Sequence, residues 1–226
     1  MIRVIVVCEG QTEETFIRDV IAPLLAHQHI YLTARLVPTT KGHKGGALSY
    51  FRVKRFILNC LKEETETVVT TFFDLYALDN EFPRFVESQT IVDVYQKVAY
   101  LESEFKQDIA QENHLFSERF IPYIQPYEFE GLLFTDIQKL IEFETDWRRS
   151  LAALQTVRNS FPTPEHINDG YDTKPSKQLE NHLTKIKYRK TLHGPLAIQS
   201  IGINNLCEQC KHFSEWYQQL NQLGSA

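Results

Sequence analysis

Residues 2–8, Ile-Arg-Val-Ile-Val-Val-Cys, are an almost unbroken apolar run that gives way at once to Glu9-Gly10. A β-branched run without alternation predicts a strand covered on both faces, the pattern of a parallel sheet between helices. From Glu13 to about Ala26 the apolar residues Phe16, Ile17, Val20, Ile21, Leu24 and Leu25 recur at steps of three and four. That spacing predicts a helix, with its last turn weakened by Pro23. Tyr31–Val37 reads as a second strand, the stretch with Gly42, Gly45 and Gly46 as a loop, and Leu48–Lys62 as a helix. Thr67–Phe73 is β-branched and aromatic throughout and ends at Asp74, which predicts a third strand. A helix is expected over Ile91–Asn113 and a short fourth strand over Arg119–Gln125, closed by Pro126 with Glu128 just beyond. Helical spacing then fills Glu130–Glu142, Trp147–Asn159, Ser176–Ile186 and Asn204–Leu223.

Alternating strands and helices in the first half predict an α/β fold: a parallel sheet of about four strands, flanked by helices and joined by right-handed crossovers. The second half reads as a mostly helical extension packed on that sheet. Residues 1–135 are expected to form the core and residues 136–226 the extension, as one compact unit, since no Gly/Ser- or Pro-rich linker separates them.

Composition narrows the class. With 226 residues, 42% hydrophobic and 23% charged, the chain can bury a real core and is neither disordered nor fibrous. The opening apolar run is too short for a signal sequence or a membrane span, so a cytoplasmic location without membrane contact is expected. Cys8, Cys60, Cys207 and Cys210 are too few and too uneven for a disulfide framework, and reduced thiols are the default. A balance of 24 Lys+Arg against 29 Asp+Glu, net −5, argues against nucleic-acid binding by overall charge. Any phosphate contact must be local or metal-mediated.

Glu9, Asp74 and Glu128 each stand at or just past the carboxyl end of a predicted strand. In an open parallel sheet those ends share one edge, where ligands of such folds bind. Three carboxylates gathered there would repel one another unless a hard cation neutralised them, which suits Mg²⁺ or Mn²⁺. Glu13, Asp79 and Glu130 could complete a second metal position. Against this, Glu13 also reads as a helix-dipole residue and Asp79 as a turn residue.

Several segments together resemble a family: Glu9-Gly10-Gln11-Thr12-Glu13, Gly42-x-x-Gly45-Gly46, Thr70-Thr71-Phe72-Phe73-Asp74-x-Tyr76, Glu128-Phe129-Glu130-x-Leu132-Leu133-Phe134, Pro164-Glu165-x-Ile167-Asn168-Asp169, Pro175-Ser176-Lys177, His193-Gly194 and Cys210-x-His212-Phe213-x-x-Trp216. Over nearly its whole length the chain resembles domain-of-unknown-function family 4276, a bacterial Toprim-like group related to nucleases of the overcoming-lysogenization-defect type. The resemblance implies a Toprim-like sheet and an Mg²⁺- or Mn²⁺-dependent nuclease acting on DNA or RNA, often beside an ATPase partner in phage-defence or mobile-element systems. It further implies Glu9 as general acid/base or metal ligand and Asp74 as metal ligand. The chain departs from the Toprim pattern at Asp74-Leu75-Tyr76, where Asp-x-Asp is usual; Asp79, Glu128 or Glu130 could substitute.

Two segments could handle phosphate. The Lys41-Gly42-His43-Lys44-Gly45-Gly46 loop follows the second strand, and its glycines could let backbone N–H groups approach an anion, with Lys41 and Lys44 adding charge; a surface turn is the alternative. Lys174–Lys190 holds six cations, Lys177, Arg189 and Lys190 among them, against Glu180 alone, a local charge of +5. A solvated charged face is the alternative there. Ser176 is expected to N-cap its helix, and His193-Gly194 to be a helix C-cap or a general acid. Cys207, Cys210 and His212 suit core packing with Phe213 and Trp216 better than half a zinc site. The function classes are therefore a metal-dependent nuclease, a non-catalytic or partner-activated subunit that binds metal or nucleic acid, and, less favoured, a phosphatase with Asp74 as nucleophile.

Overall fold

The computed structural model describes residues 1–38, 49–168, 170 and 172–225. The expected α/β architecture is present, a parallel sheet flanked by helices and a helical second half. The chain divides into two compact units, Met1–Ile124 with Leu220–Ala226, and Gln125–Gln219.

In the first unit, β1 (Ile2–Cys8) lies between β2 (Ile30–Leu36) and β3 (Val68–Asp74), and both pairings are parallel. Val4–Cys8 are buried, as a strand covered on both faces must be. β2 is an edge strand and shows it: Tyr31 is exposed while Ile30 is buried. β4 (Phe120–Ile121) continues the parallel sheet beside β3, and β5 (Ile124–Gln125) also pairs with β3. A single strand was expected here. It is split because Tyr123 turns its backbone to a buried hydroxyl: Thr71 Oγ1 accepts from its N–H (2.8 Å) and donates to its carbonyl (2.9 Å).

The helical stretch after β1 comprises α1 (Gln11–Phe16), a π turn (Ile17–Ile21) and α2 (Ala22–Ala26), with Pro23 at the start of α2. The wider turn falls just before the residue that lacks an N–H. α3 (Tyr50–Glu63) buries Val53, Ile57, Cys60 and Leu61 on one face. Its end is closed by Arg119, which donates to the Leu61 and Glu64 carbonyls and to the Thr67 carbonyl beyond the helix, at 2.9–3.1 Å. α4 (Phe85–Ser88), α5 (Val94–Glu112) and α6 (His114–Glu118) follow, and Tyr50, Phe82, Phe105 and Phe120 interlock edge to face at 4.9–5.7 Å.

The second unit opens with a 3₁₀ segment, Phe129–Thr135, buried throughout. At Gly131 an added Cβ would stand 3.2 Å from the Pro164 carbonyl oxygen, a close approach that favours glycine. α7 (Ile137–Ile141), α8 (Leu151–Asn159), α9 (Pro175–His182), α10 (Lys190–Ile201), α11 (Ile203–Gln209) and α12 (Lys211–Gln222) follow. Cys210, Phe213 and Trp216 are buried, and Cys210 Sγ lies 3.4 Å from Thr135 Oγ1, which bears out the packing role expected of that cysteine. Among the described residues no helix is long and apolar enough to cross a membrane.

Candidate functional site

The first constellation lies on the carboxyl edge of the sheet. Cys8 is in register with Phe72, so Glu9 and Asp74 leave adjacent central strands within two residues of each other. The Asp74 N–H donates to Glu9 Oε2 at 3.4 Å, and both acids are half-buried. Glu13 is buried and accepts from the Gly10 N–H at 3.0 Å, closing the start of α1 as the Glu of a capping box does. Burial, reinforced by Glu13 and Glu14, pushes the Cys8 thiol well above its ordinary range, so it is no thiolate nucleophile at neutral pH. Asp79 binds the Tyr50 N–H (3.0 Å) and the Glu81 N–H (3.1 Å), fixing a turn and the first residue of α3. Tyr76, where the resemblance would have placed a second acid, is 44% exposed. Lys41, Lys44, Gly45 and Gly46 lie outside the described residues.

The second constellation belongs to the second unit. Glu128 is buried; its Oε1 receives Lys174 Nζ at 2.7 Å and its Oε2 the Ser176 N–H at 2.9 Å. Burial alone would raise this carboxyl. The Lys174 ammonium together with the Ser176 N–H and hydroxyl outweighs it and holds the group below the usual carboxylate range. Glu130 is the opposite case. Burial pushes it up, the Lys190 ammonium 3.0 Å from Oε1 opposes that, and the charge of Glu128 adds to it. Its buried Oε2 has no hydrogen-bond partner among the described residues.

Two expectations are corrected here. Ser176 does not cap α9 from the N-cap position, which Lys174 occupies; it is the second residue of the helix, and its N–H is satisfied by Glu128. His193 lies at the start of α10 and not at a helix end. Its Nδ1 accepts from the Arg189 N–H at 3.0 Å, and its ring meets Trp147 edge-on at 4.7 Å. Burial and then Arg189 lower its pKa.

Much of the positive charge of Lys174–Lys190 is paired: Lys174 with Glu128, Lys177 with Glu180, Lys185 with Asp146 and Lys190 with Glu130, at 2.6–3.0 Å. Glu165, which the sequence offered only as part of the Pro164–Asp169 segment without a role, is buried beneath the start of α12, where its two oxygens accept the His212 and Phe213 N–H groups at 3.0 Å.

Among the described residues no three His, Cys, Asp or Glu side chains gather as a ready ligand set. Mg²⁺ takes one or two carboxylates from a protein and keeps its remaining positions for water and phosphate, and the residues that could hold such an ion here are Glu9 and Asp74. Glu128 is less suited, with both oxygens already held.

No curated protein and no solved structure matches this chain. A family model described as "Domain of unknown function (DUF4276)" matches residues 8–221, which span all the acids discussed above, and the chain belongs to that family.

Proposed function

We propose that this protein is a divalent-metal-dependent phosphodiesterase, a nuclease of Toprim type acting on DNA or RNA, centred on Glu9 and Asp74. The observation that supports it is the juxtaposition of these two acids, the Glu9 carboxylate over the Asp74 main chain, where adjacent parallel strands end. Bound Mg²⁺ or Mn²⁺ would neutralise charge on the phosphodiester and activate water. Glu9 and Asp74 would hold it, and Glu9, half-buried, would also accept or return the proton of the attacking water. Among the other acids proposed as ligands, Glu13 is engaged by the Gly10 N–H and Glu128 by Lys174 and Ser176, whereas Glu130 retains an oxygen without a partner among the described residues. Of the basic residues proposed to contact the backbone, Lys177 and Lys190 are ion-paired and Arg189 has no ion pair among the described residues. A phage-defence or mobile-element setting with an ATPase partner follows from the resemblance alone.

A second reading, a partner-activated or non-catalytic subunit that binds metal or nucleic acid, is favoured by Tyr76 in place of the second acid.

The test is incubation of the purified chain with supercoiled plasmid and with RNA, in Mn²⁺ and in EDTA, alongside Glu9→Gln and Asp74→Asn. Mn²⁺-dependent cleavage that falls about a hundred-fold or more in each variant is expected. Cleavage surviving both substitutions removes the two acids from the mechanism. Mn²⁺ binding by calorimetry that needs Glu9 and Asp74, without cleavage, selects the second reading; no binding at millimolar Mn²⁺ sinks both.

A further inference from the structure

Helix α3 turns one face to the core and presents another that no role described above uses. Arg52, Arg55, Asn59 and Lys62 are all exposed, and at 3.6 residues per turn they fall within an arc of about 80°. Phe51, 68% exposed, is one turn from Arg55 on the border of that arc. Two cavities open along it. One of about 230 Å³ is lined by Arg52, Arg55, Phe56 and Asn59 with Val37 and Pro38; the other, about 410 Å³, is lined by Phe51, Lys54, Arg55 and Lys62 among others.

Part of the charge on this face is available. Lys54 is held by Asp108 (2.9 Å) and Glu112 (3.2 Å), which also accounts for the one acid in the larger cavity. Glu63, the nearest acid on the helix, is held by Arg35 at 2.8 Å. Arg55 and Lys62 have no ion pair among the described residues. The contrast with Lys174–Lys190 is informative, since there four of six cations meet carboxylates of their own unit. In a chain of net charge −5, α3 therefore presents two cations without ion pairs among the described residues, Arg55 and Lys62, about 10 Å apart along the helix, with an exposed aromatic ring beside them.

We infer that this face of α3 binds single-stranded nucleic acid, Arg55 and Lys62 following the phosphates and Phe51 stacking on a base. Basic side chains along a shallow cleft with an exposed aromatic are what sequence-tolerant binding of single strands requires. A protein partner of the same surface would have to be acidic but would gain nothing specific from an isolated exposed ring. The choice of occupant rests on the phosphodiesterase reading; the surface itself does not.

The test is fluorescence anisotropy of the full chain with a fluorescein-labelled twelve-residue oligothymidylate in EDTA, across a salt series. Arg55→Ala/Lys62→Ala is expected to weaken binding about tenfold at low salt and to flatten the log–log salt slope by about 1.4, the loss of two phosphate contacts on a single strand. Phe51→Ala is expected to weaken it about fivefold or more. All three positions are exposed, so matching thermal melts exclude unfolding. Affinity and slope unchanged in both variants, or no binding by the wild type at low salt, overturn the inference. Glu9→Gln/Asp74→Asn serves as the control: it should bind the oligonucleotide normally even if cleavage is lost. Failure of the nuclease reading would thus leave this binding intact, and failure of this inference would leave cleavage intact.

Discussion

Replacing Glu128 should destabilise the second unit, by an amount its partners set. The side chain is 5% exposed and Lys174 18%, and the carboxylate receives Lys174 Nζ at 2.7 Å and the Ser176 N–H at 2.9 Å. Loss of a charge-assisted bond to a buried N–H costs about 1.5–3 kcal/mol. Loss of the partner of a buried ion pair costs about 3–5 kcal/mol, reduced here because Lys174 can reach water. Glu128→Ala should therefore cost about 3 kcal/mol, and Glu128→Gln, which keeps an acceptor for one of the donors, about 1–2 kcal/mol. Both tryptophans of the chain, Trp147 and Trp216, lie in this unit and are buried, so urea unfolding followed by their fluorescence reports on it directly. The pH dependence adds a second check. The folded carboxyl titrates below its unfolded value, so its contribution is fully present above the ordinary carboxylate range and is lost as pH falls through the folded value. The cost of Glu128→Gln should shrink in acid accordingly. A Glu128→Ala protein within about 0.5 kcal/mol of wild type, or a Glu128–Lys174 double-mutant cycle with coupling below about 0.5 kcal/mol, would refute the reasoning.

Two further perturbations probe the same unit. Glu130 titrates above its unfolded value, so wild-type stability should decline as pH rises from the ordinary carboxylate range to the raised one, and Glu130→Gln should abolish that decline at little cost to half-exposed Lys190; parallel stability–pH curves for the two proteins would contradict this. Glu165→Ala leaves the His212 and Phe213 N–H groups of α12 unsatisfied in the core and should cost about 3 kcal/mol, read by the same fluorescence titration, with a cost under about 1 kcal/mol arguing that water replaces the carboxylate.

The central parallel strands were legible because burial on both faces writes itself as a run of apolar, β-branched and aromatic residues: Val4–Cys8 and Val69–Phe73 are buried where the pattern required it. Helix α10 was not, because Gly194-Pro195 lies inside it and both residues argue locally against helix. Burial of His193, Pro195, Ala197, Ile198 and Ile201 overrides that local preference. The expected helix Glu130–Glu142 is instead a 3₁₀ segment and α7, divided where Asp136 accepts the Gln138 and Lys139 N–H groups. That break carried a signal, since Asp ahead of an apolar-periodic stretch is a helix start. The expected helix Asn204–Leu223 breaks at Cys210, where the capping groups come from elsewhere in the chain and no local signal exists.

Remote capping also bears on how an acid beyond a strand end is to be read. An acid beyond a strand end reads identically in sequence whether it is to ligate a cation or to close a distant helix. Glu128 caps α9 from 48 residues away, and Glu165 caps α12 from 47, each with both oxygens committed to donors. This explains why Glu128 and the Pro175-Ser176 segment occur together: one supplies the carboxylate and the other the helix start, with Lys174 balancing the charge. Burial of a glutamate is thus a poor indicator of a ligand in this chain. At the sheet edge the commitment differs in degree: Glu9 and Asp74 are only half-buried where β1 and β3 end, and the contact that joins them runs from the Asp74 N–H to Glu9 Oε2 at 3.4 Å.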